Sequence, residues 1–559
     1  MRFILKIVFV LTIINSVLYS QLARSRNGMV SSASDLATKV GVEILQKGGN
    51  AIDAAVAVGF ALAVTYPAAG NLGGGGFLVY HRNDGFSTTI DFREKAPAKA
   101  HRDMYLDSAG NPLTKLSQEG STSVGVPGSV DGLIYAHQKY GKLKFKDVIE
   151  PAIKLAKYGF NLSYDLARSI NSNYENFIKY ESSKKIFTKN GEKYQEGDLF
   201  VQKDLARTLE LIKKYGRKGF YEGKTAELIV NQIQKLGGYI TLEDLKNYHC
   251  VERIPVIGEY KGYKIISMGP PSSGGVAIIQ ALNILENLDL KKEDYQSSKY
   301  IHYLIETLKR VYFDRAEYLG DSDFVYVPVQ KLISKGYAKR LFDQINPEKA
   351  TKLDEVDTKI VFDLESLETT HYSVIDKDGN AVSVTTTINS SYGSSIVVDG
   401  AGFLLNNEMD DFSIKPGVQN QFGLIGKEAN AIAPNKRMLS SMTPTIILKD
   451  NKPFLIVGSP GGSMIITSVL QVILNVIDFK MDLFRAVSFP RIHHQYLPED
   501  VYYEDYALSE DVIQKLESYG HRLKKRNYIG WINAIFVDVQ NNFYYGMSDP
   551  RGFGLAMGY

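Results

Sequence analysis

Thr369-Thr370-His371-Tyr372-Ser373-Val374-Ile375, then Asp376-Lys377-Asp378-Gly379-Asn380, then Ala381-Val382-Ser383-Val384-Thr385-Thr386-Thr387-Ile388-Asn389 reads as two alternating strands joined at an Asp-Gly turn. With Lys377-Asp378-Gly379 as a three-residue loop, facing residues carry numbers that sum to 756, which pairs Val374 with Val382 and Tyr372 with Val384. The apolar residues then share one face, as burial demands. The same register sets Ser373 opposite Ser383, His371 opposite Thr385 and Thr369 opposite Thr387 on the other face, with Asn389 two residues further on. Periodicity alone reads that hydroxyl-rich face as the exposed side of an edge hairpin; the alternative is the lining of a site.

Toward the N-terminus, Ser34 precedes a helical pattern (Leu36, Val40, Ile44, Leu45) that stops at Gly48-Gly49, a capping residue at each end. Asn50 with Asp53 opens a second helix, whose run over 54–64 is apolar all round. Such a helix is buried, and Pro67 leaves it too short to span a membrane. It empties into Gly70-Asn71-Leu72-Gly73-Gly74-Gly75-Gly76, followed by a strand over 77–81, a turn at Asn83-Asp84-Gly85 and a second strand ending near Asp91-Phe92-Arg93. Residues 125–350 read as mostly helical, with amphipathic stretches over 205–214 and 300–319. Residues 352–367 read as an exposed linker, and from Thr369 the texture is β-rich.

Composition narrows the class. The 559 residues hold 65 Lys and Arg against 62 Asp and Glu, a net charge of +3, which excludes a protein built to coat nucleic-acid phosphates. At 44% hydrophobic and 23% charged the chain is an ordinary globular one, and it exceeds the ~250–300 residues at which one core stops growing. Either two domains or one large layered unit is expected. A single cysteine, Cys250, excludes an intramolecular disulfide and a cysteine-based zinc site. Arg2 and Lys6, the apolar stretch from Ile7 and the small Ser20 read as a signal peptide over 1–20, so the protein is expected to be exported, to a periplasm or the medium.

No phosphate loop, dinucleotide-binding turn, Gly-x-Ser-x-Gly elbow or His-Glu-x-x-His zinc helix is present. His493-His494 on a strand would point to opposite faces and could not both hold one metal, so both read as structural. His249-Cys250 hints at a thiol nucleophile with nothing else to support it.

Five further segments carry the specific signal. They are the Gly70–Gly76 loop, Asp91-Phe92-Arg93-Glu94, Asn406-Asn407-Glu408-Met409-Asp410-Asp411-Phe412, Lys436-Arg437-Met438-Leu439-Ser440-Ser441-Met442-Thr443-Pro444 and Gly458-Ser459-Pro460-Gly461-Gly462-Ser463. In this order, with the hairpin, they closely resemble the γ-glutamyltransferase (γ-glutamyl transpeptidase, glutathione hydrolase) family over nearly the whole chain after the signal segment. The resemblance implies an α+β fold, a four-layer αββα sandwich of the N-terminal-nucleophile hydrolase class, and a precursor that cuts itself between Glu368 and Thr369. Fragments of about 348 (21–368) and 191 (369–559) residues would stay together as one unit, and two such units could pair.

The resemblance implies that Thr369 attacks the γ-carbonyl of glutathione or a similar γ-glutamyl compound, with its own freed α-amine as base and Thr387 as hydroxyl partner. Gly461 and Gly462 would supply the oxyanion N–H groups. The glutamyl group would pass to water, an amino acid or a dipeptide, with no metal or organic cofactor. Arg93, Ser440 and Ser441 would hold the substrate α-carboxylate; Asn389, Glu408 and Asp411 would hold its ammonium. Residues 416–427 resemble the lid loop of bacterial members, but Phe422 stands where some carry tyrosine. It has no hydroxyl to bond Asn389, so a loosely gated pocket is expected. Met438 and Met464 replace a proline and an arginine common in relatives, and the first is expected to loosen the serine turn. Two rivals remain: a cephalosporin-acylase-like amidohydrolase, disfavoured because Arg93 with Asp411 suits a zwitterion, and a binding protein that never matures.

Overall fold

The computed structural model describes residues 22–352 and 369–559. The signal segment, Glu368 and all of the expected linker but Lys352 lie outside the described residues. Two seven-stranded sheets stack face to face between two layers of helices, the αββα sandwich expected.

The hairpin strands Thr370–Ile375 and Ala381–Thr387 lie in the middle of one sheet, between Met29–Ser32 and Gly75–His81. Leu555–Gly558 closes one edge, and Ser87–Asp91 with Val251–Arg253 the other. The register is the one the turn dictates: Val374 faces Val382, Tyr372 faces Val384 and His371 faces Thr385. Tyr372, Val374, Val382 and Val384 join Val30, Leu78 and Ile90 against the helices Asp35–Gln46 and Ala51–Thr65. The second of these helices is buried along its whole length and opens with the Asn50/Asp53 capping box. Its Ala51 N–H donates to Asp376 in the hairpin turn at 2.9 Å, placing a carboxylate at the positive end of a buried helix.

The edge-hairpin reading of the polar face fails here. A central strand has both faces covered, and this face meets the second sheet, whose strands include Thr445–Lys449, Lys452–Gly458, Asn533–Asp538 and Phe543–Ser548. Ser373 Oγ donates to Asn533 O at 3.2 Å, Ser31 Oγ to Met547 O at 2.8 Å, and Thr445 N to Ser383 Oγ at 3.0 Å. Buried hydroxyls are thus satisfied across the inter-sheet layer. Phe77, Val79 and Met29 complete that layer, and the second sheet is backed by Gly274–Leu285, Ser298–Tyr318 and Met464–Ile477. Among the described residues no helix is long and apolar enough to cross a membrane.

The glycine loop brings the hairpin's end close to its neighbour. A Cβ on Gly74 would lie 2.1 Å from Thr387 O, so only glycine fits. Asn71 Nδ2 donates to the same carbonyl at 2.9 Å and fixes where Thr387 sits.

Candidate active site

Thr369 and Thr387 continue the hairpin register by one pair, at the mouth of the inter-sheet layer. Thr369 Oγ1 donates to Thr387 Oγ1 at 3.2 Å, and Thr387 Oγ1 also accepts Asn389 N–H at 2.9 Å. Asn389 can aim its amide backwards because its φ is +73°, a left-handed conformation that asparagine tolerates. Thr369 itself has φ +122°, a strained value for a β-branched residue, of the order of 1–3 kcal/mol.

Thr369, Thr387, Asn389, Arg93, Glu408, Asp411, Ser440, Ser441 and Gly462 line one small pocket. Gly461 stands just outside that lining, beside Gly462. Their φ values of +127° and +52° turn the chain ahead of the helix Met464–Ile477, and neither N–H donates to another group among the described residues. The positive end of that helix's dipole lies behind these amides, so together they can accept a partial negative charge.

Arg93 is fully buried. Its Nη1 donates to Glu408, its Nη2 to Asp411 and its Nε to Met438 O at 3.2 Å. Burial opposes the charge, but Glu408, Asp411 and Glu94 outweigh it and hold the guanidinium protonated. Burial pushes the Glu408 carboxyl well above its usual range and Asp411 upward, against the pull of Arg93, and it pushes Glu94 up to about 7. Glu408 and Asp411 stay raised although Arg93 bonds both, and an ammonium placed beside them would draw both down again, so the pocket can accept a further cation.

Ser440 and Ser441 sit on a turn held from the loop ahead of helix Gly274–Leu285. Ser440 N donates to Pro271 O at 2.9 Å and Ser273 N to Ser440 O at 2.8 Å. The loosening expected from Met438 is therefore absent: Met438 is buried against Met409, Phe412 and Ile432, and its carbonyl serves Arg93. Met464 is buried at the start of its helix, and nothing in the structure gives it a part in the pocket.

Sequence reading missed Arg315, which also lines the pocket. Its Nη2 donates to Ser441 Oγ at 3.1 Å and its Nε to Ser273 Oγ at 3.0 Å. The available signal was a cation on the apolar side of the helix pattern over 300–319, one turn after Tyr312 and Val311, where a charge needs a reason.

The loop over 416–427 is tied rather than loose. Gln421 N donates to Asp410 at 2.8 Å, Asn420 Nδ2 to Asp411 at 3.2 Å, Ser390 Oγ to Gln421 Oε1 at 2.9 Å and Gln495 Nε2 to Phe422 O at 3.0 Å. Phe422 packs its ring against Gly462. The missing phenol is replaced by bonds from its neighbours.

The remaining candidates lie elsewhere. His493 bonds Thr467 and Gln495, and His494 bonds Asp500 O; both are buried and held far below the usual imidazole range, at about 3, by burial. Among the described residues no group of three or more His, Cys, Asp or Glu side chains could hold a metal. Burial raises the Cys250 thiol, which makes it inert at neutral pH.

The family model described as Gamma-glutamyltranspeptidase matches residues 37–559. The chain is 50% identical over 538 residues to the glutathione hydrolase proenzyme of Escherichia coli K12, covering 96% of this chain and 92% of that protein. It is 48% identical to that of Pseudomonas sp. A14, covering 96% and 95%. Cephalosporin acylase from Bacillus halodurans superposes with a TM-score of 0.86 at 26% identity, over 96% of this chain and 97% of that one. A chain of Helicobacter pylori γ-glutamyltranspeptidase is 55% identical, with a TM-score of 0.57 over 57% of this chain and 92% of its own length. With a family model spanning nearly the whole chain and curated relatives at about half identity, this protein belongs to the γ-glutamyltranspeptidase family.

Proposed function

We propose that this chain is an exported, self-cleaving enzyme that removes the γ-glutamyl group of glutathione and related amides and passes it to water, an amino acid or a dipeptide. The observation that carries this reading is one pocket holding a paired threonine hydroxyl, the free amide of Gly462 and both signs of charge. Relatives named glutathione hydrolase proenzymes support both the substrate and the processing. The Helicobacter pylori chain, nearly covered by little more than half of this one, is what a cut precursor yields.

Cleavage between Glu368 and Thr369 converts the Thr369 amide to an amine that titrates near ~7.7–8.0, a base on the nucleophile's own residue. Thr369 Oγ1 loses its proton to that amine and attacks the γ-carbonyl. Thr387 Oγ1 holds the hydroxyl in place, and the Gly461 and Gly462 N–H groups receive the oxyanion. Collapse expels the amine leaving group, which takes the proton. Water or an amine acceptor then opens the ester by the reverse path. Glu408, Asp411 and Asn389 meet the α-ammonium, while Arg93 and the two serines meet the α-carboxylate. The fragments over 21–368 and 369–559 stay interlocked because the hairpin sits in the middle of a sheet built from both.

N-terminal sequencing of the smaller fragment, together with release of 4-nitroaniline from γ-glutamyl-4-nitroanilide, tests the reading. The fragment is expected to begin at Thr369. Active protein that stays a single uncut chain would refute it. An acylase reading predicts equal turnover of a glutaryl anilide, which lacks the ammonium that Glu408 and Asp411 are placed to meet.

A further inference from the structure

The Phe422 ring lies against Gly462, so closely that a Cβ on the glycine would stand 2.8 Å from Cδ1 of the ring. A phenyl ring has no polar atom to hold it there. The backbone is held instead: Gln495 Nε2 donates to Phe422 O at 3.0 Å. Gln495 is 3% exposed and stands two residues past the strand Ile492–His493. A second carbonyl, Leu497 O at 3.3 Å, also faces Nε2 and fixes the direction of the amide. Its Oε1 therefore accepts from His493 Nε2 at 2.8 Å. Buried and neutral, His493 is left with a bare Nδ1, which takes the Thr467 hydroxyl at 3.0 Å. Thr467 lies in the first turn of the helix Met464–Ile477, where Met464 N and Ile465 N bond Gly461 O and Gly462 O at 2.9 and 3.3 Å. Tyr312 braces the same place: its hydroxyl donates to Ser463 O and its ring meets His493 edge-on. Loop and glycine turn are thus joined twice, by the ring at the pocket and by a buried chain of side chains behind it.

We propose that Gln495 is a positioning residue for γ-glutamyl transfer, holding the Phe422 ring on Gly462 so that water is kept from the amide that receives the oxyanion. This deepens the γ-glutamyl reading and rests on it. A dry amide has no bond to water to break as the negative charge forms, and it acts on that charge in a medium of low dielectric. Gln495 does not line the pocket, so it reaches the amide only through the loop. The two ties of the loop then do different things. Asn420 fastens it to Asp411, beside the substrate ammonium, and bears on affinity; Gln495 fastens it beside Gly462 and bears on turnover.

A double-mutant cycle on the self-cleaved, full-length protein, read as turnover of γ-glutamyl-4-nitroanilide, tests this. Gln495→Met is similar in length and cannot donate. It is expected to lower kcat by about tenfold, the size of one lost buried hydrogen bond, with KM within about twofold of wild type. Phe422→Ala, which removes the ring itself, is expected to lower kcat at least as much. In that background no ring is left to hold, so adding Gln495→Met is expected to change kcat by less than about twofold. Gln495→Glu keeps an acceptor for His493 and is expected to behave as the Met variant does, because a carboxylate cannot donate to Phe422 O. Equal losses from Gln495→Met with and without the ring would show that Gln495 acts on the fold, and would overturn the proposal. An unchanged kcat in either single variant, or a raised KM at unchanged kcat, would do the same. If the Met variant stays uncut, the Glu variant carries the cycle; if both stay uncut, Gln495 is structural and the proposal fails. Wild-type protein that releases no 4-nitroaniline would instead refute the γ-glutamyl reading.

Discussion

Thr369 Oγ1 donates to Thr387 Oγ1 across 3.2 Å, the pair that follows directly on Thr370 and Thr386 in the hairpin register. A turn of three residues therefore sets two hydroxyls together at the mouth of the inter-sheet layer, and Asn389 N–H at 2.9 Å polarises the accepting one. Because Thr387 Oγ1 is held by two donors, it can fix the rotamer of the attacking oxygen without moving itself.

Thr369→Ala is expected to abolish both chain cleavage and release of 4-nitroaniline, since one oxygen performs both attacks. Thr387→Val keeps shape and removes the accepting oxygen. It is expected to cut kcat by about 10²-fold with little change in KM, because the lost contact orients the nucleophile rather than the substrate. Steady-state kinetics on cut protein reads the difference; a raised KM with unchanged kcat would refute the orienting role.

Arg93→Lys keeps a charge but cannot serve Glu408, Asp411 and Met438 O in three directions at once. KM for γ-glutamyl-4-nitroanilide is expected to rise by about tenfold or more, with kcat falling much less. A normal KM beside a collapsed kcat would count against a binding role.

Asn420 is the knot of the loop over the pocket. Its Nδ2 donates to Asp411 and its Oδ1 accepts Phe422 N and Leu424 N, each at 3.0 Å. Asn420→Ala removes all three bonds and is expected to weaken glutamate inhibition by about tenfold, whereas Phe422→Tyr adds a hydroxyl to a loop already tied and changes it little. Inhibition constants for glutamate on the two variants check this; a larger effect from Phe422→Tyr would place the latch at residue 422.

The hairpin was legible because period-two alternation and an Asp-Gly turn fix a register locally, down to Thr369 opposite Thr387. The burial of its polar face was not, because Asn533 O and Met547 O, which satisfy Ser373 and Ser31, come from strands more than 150 residues away in sequence. Arg93 was legible through its motif, whereas Arg315 sits in a helix whose amphipathic pattern gives no motif to read. The loop's ties escaped notice for a related reason: Asp410, beside the assigned Asp411, holds Gln421 through a backbone N–H that side-chain chemistry does not reveal.

Asp410 gives the loop a pH dependence with a definite sign. Burial raises its carboxyl from 3.8 to about 6, against the bonds from Ser117 Oγ at 2.6 Å and Gln421 N, with the Asp411 charge adding to the rise. Between roughly pH 4 and 6 the folded protein keeps a proton that the unfolded chain has lost. The contribution of Asp410 is therefore fully present below about pH 4 and is lost as the pH rises through about 6, to an extent of the order of 3 kcal/mol. Asp410→Asn cannot ionise. Relative to wild type its Tm is expected to improve steadily from pH 4 to pH 7, whatever its offset at the acid end. Thermal melts of both proteins across that range measure the gap, and a gap that does not change with pH would show that Asp410 titrates as an ordinary carboxyl.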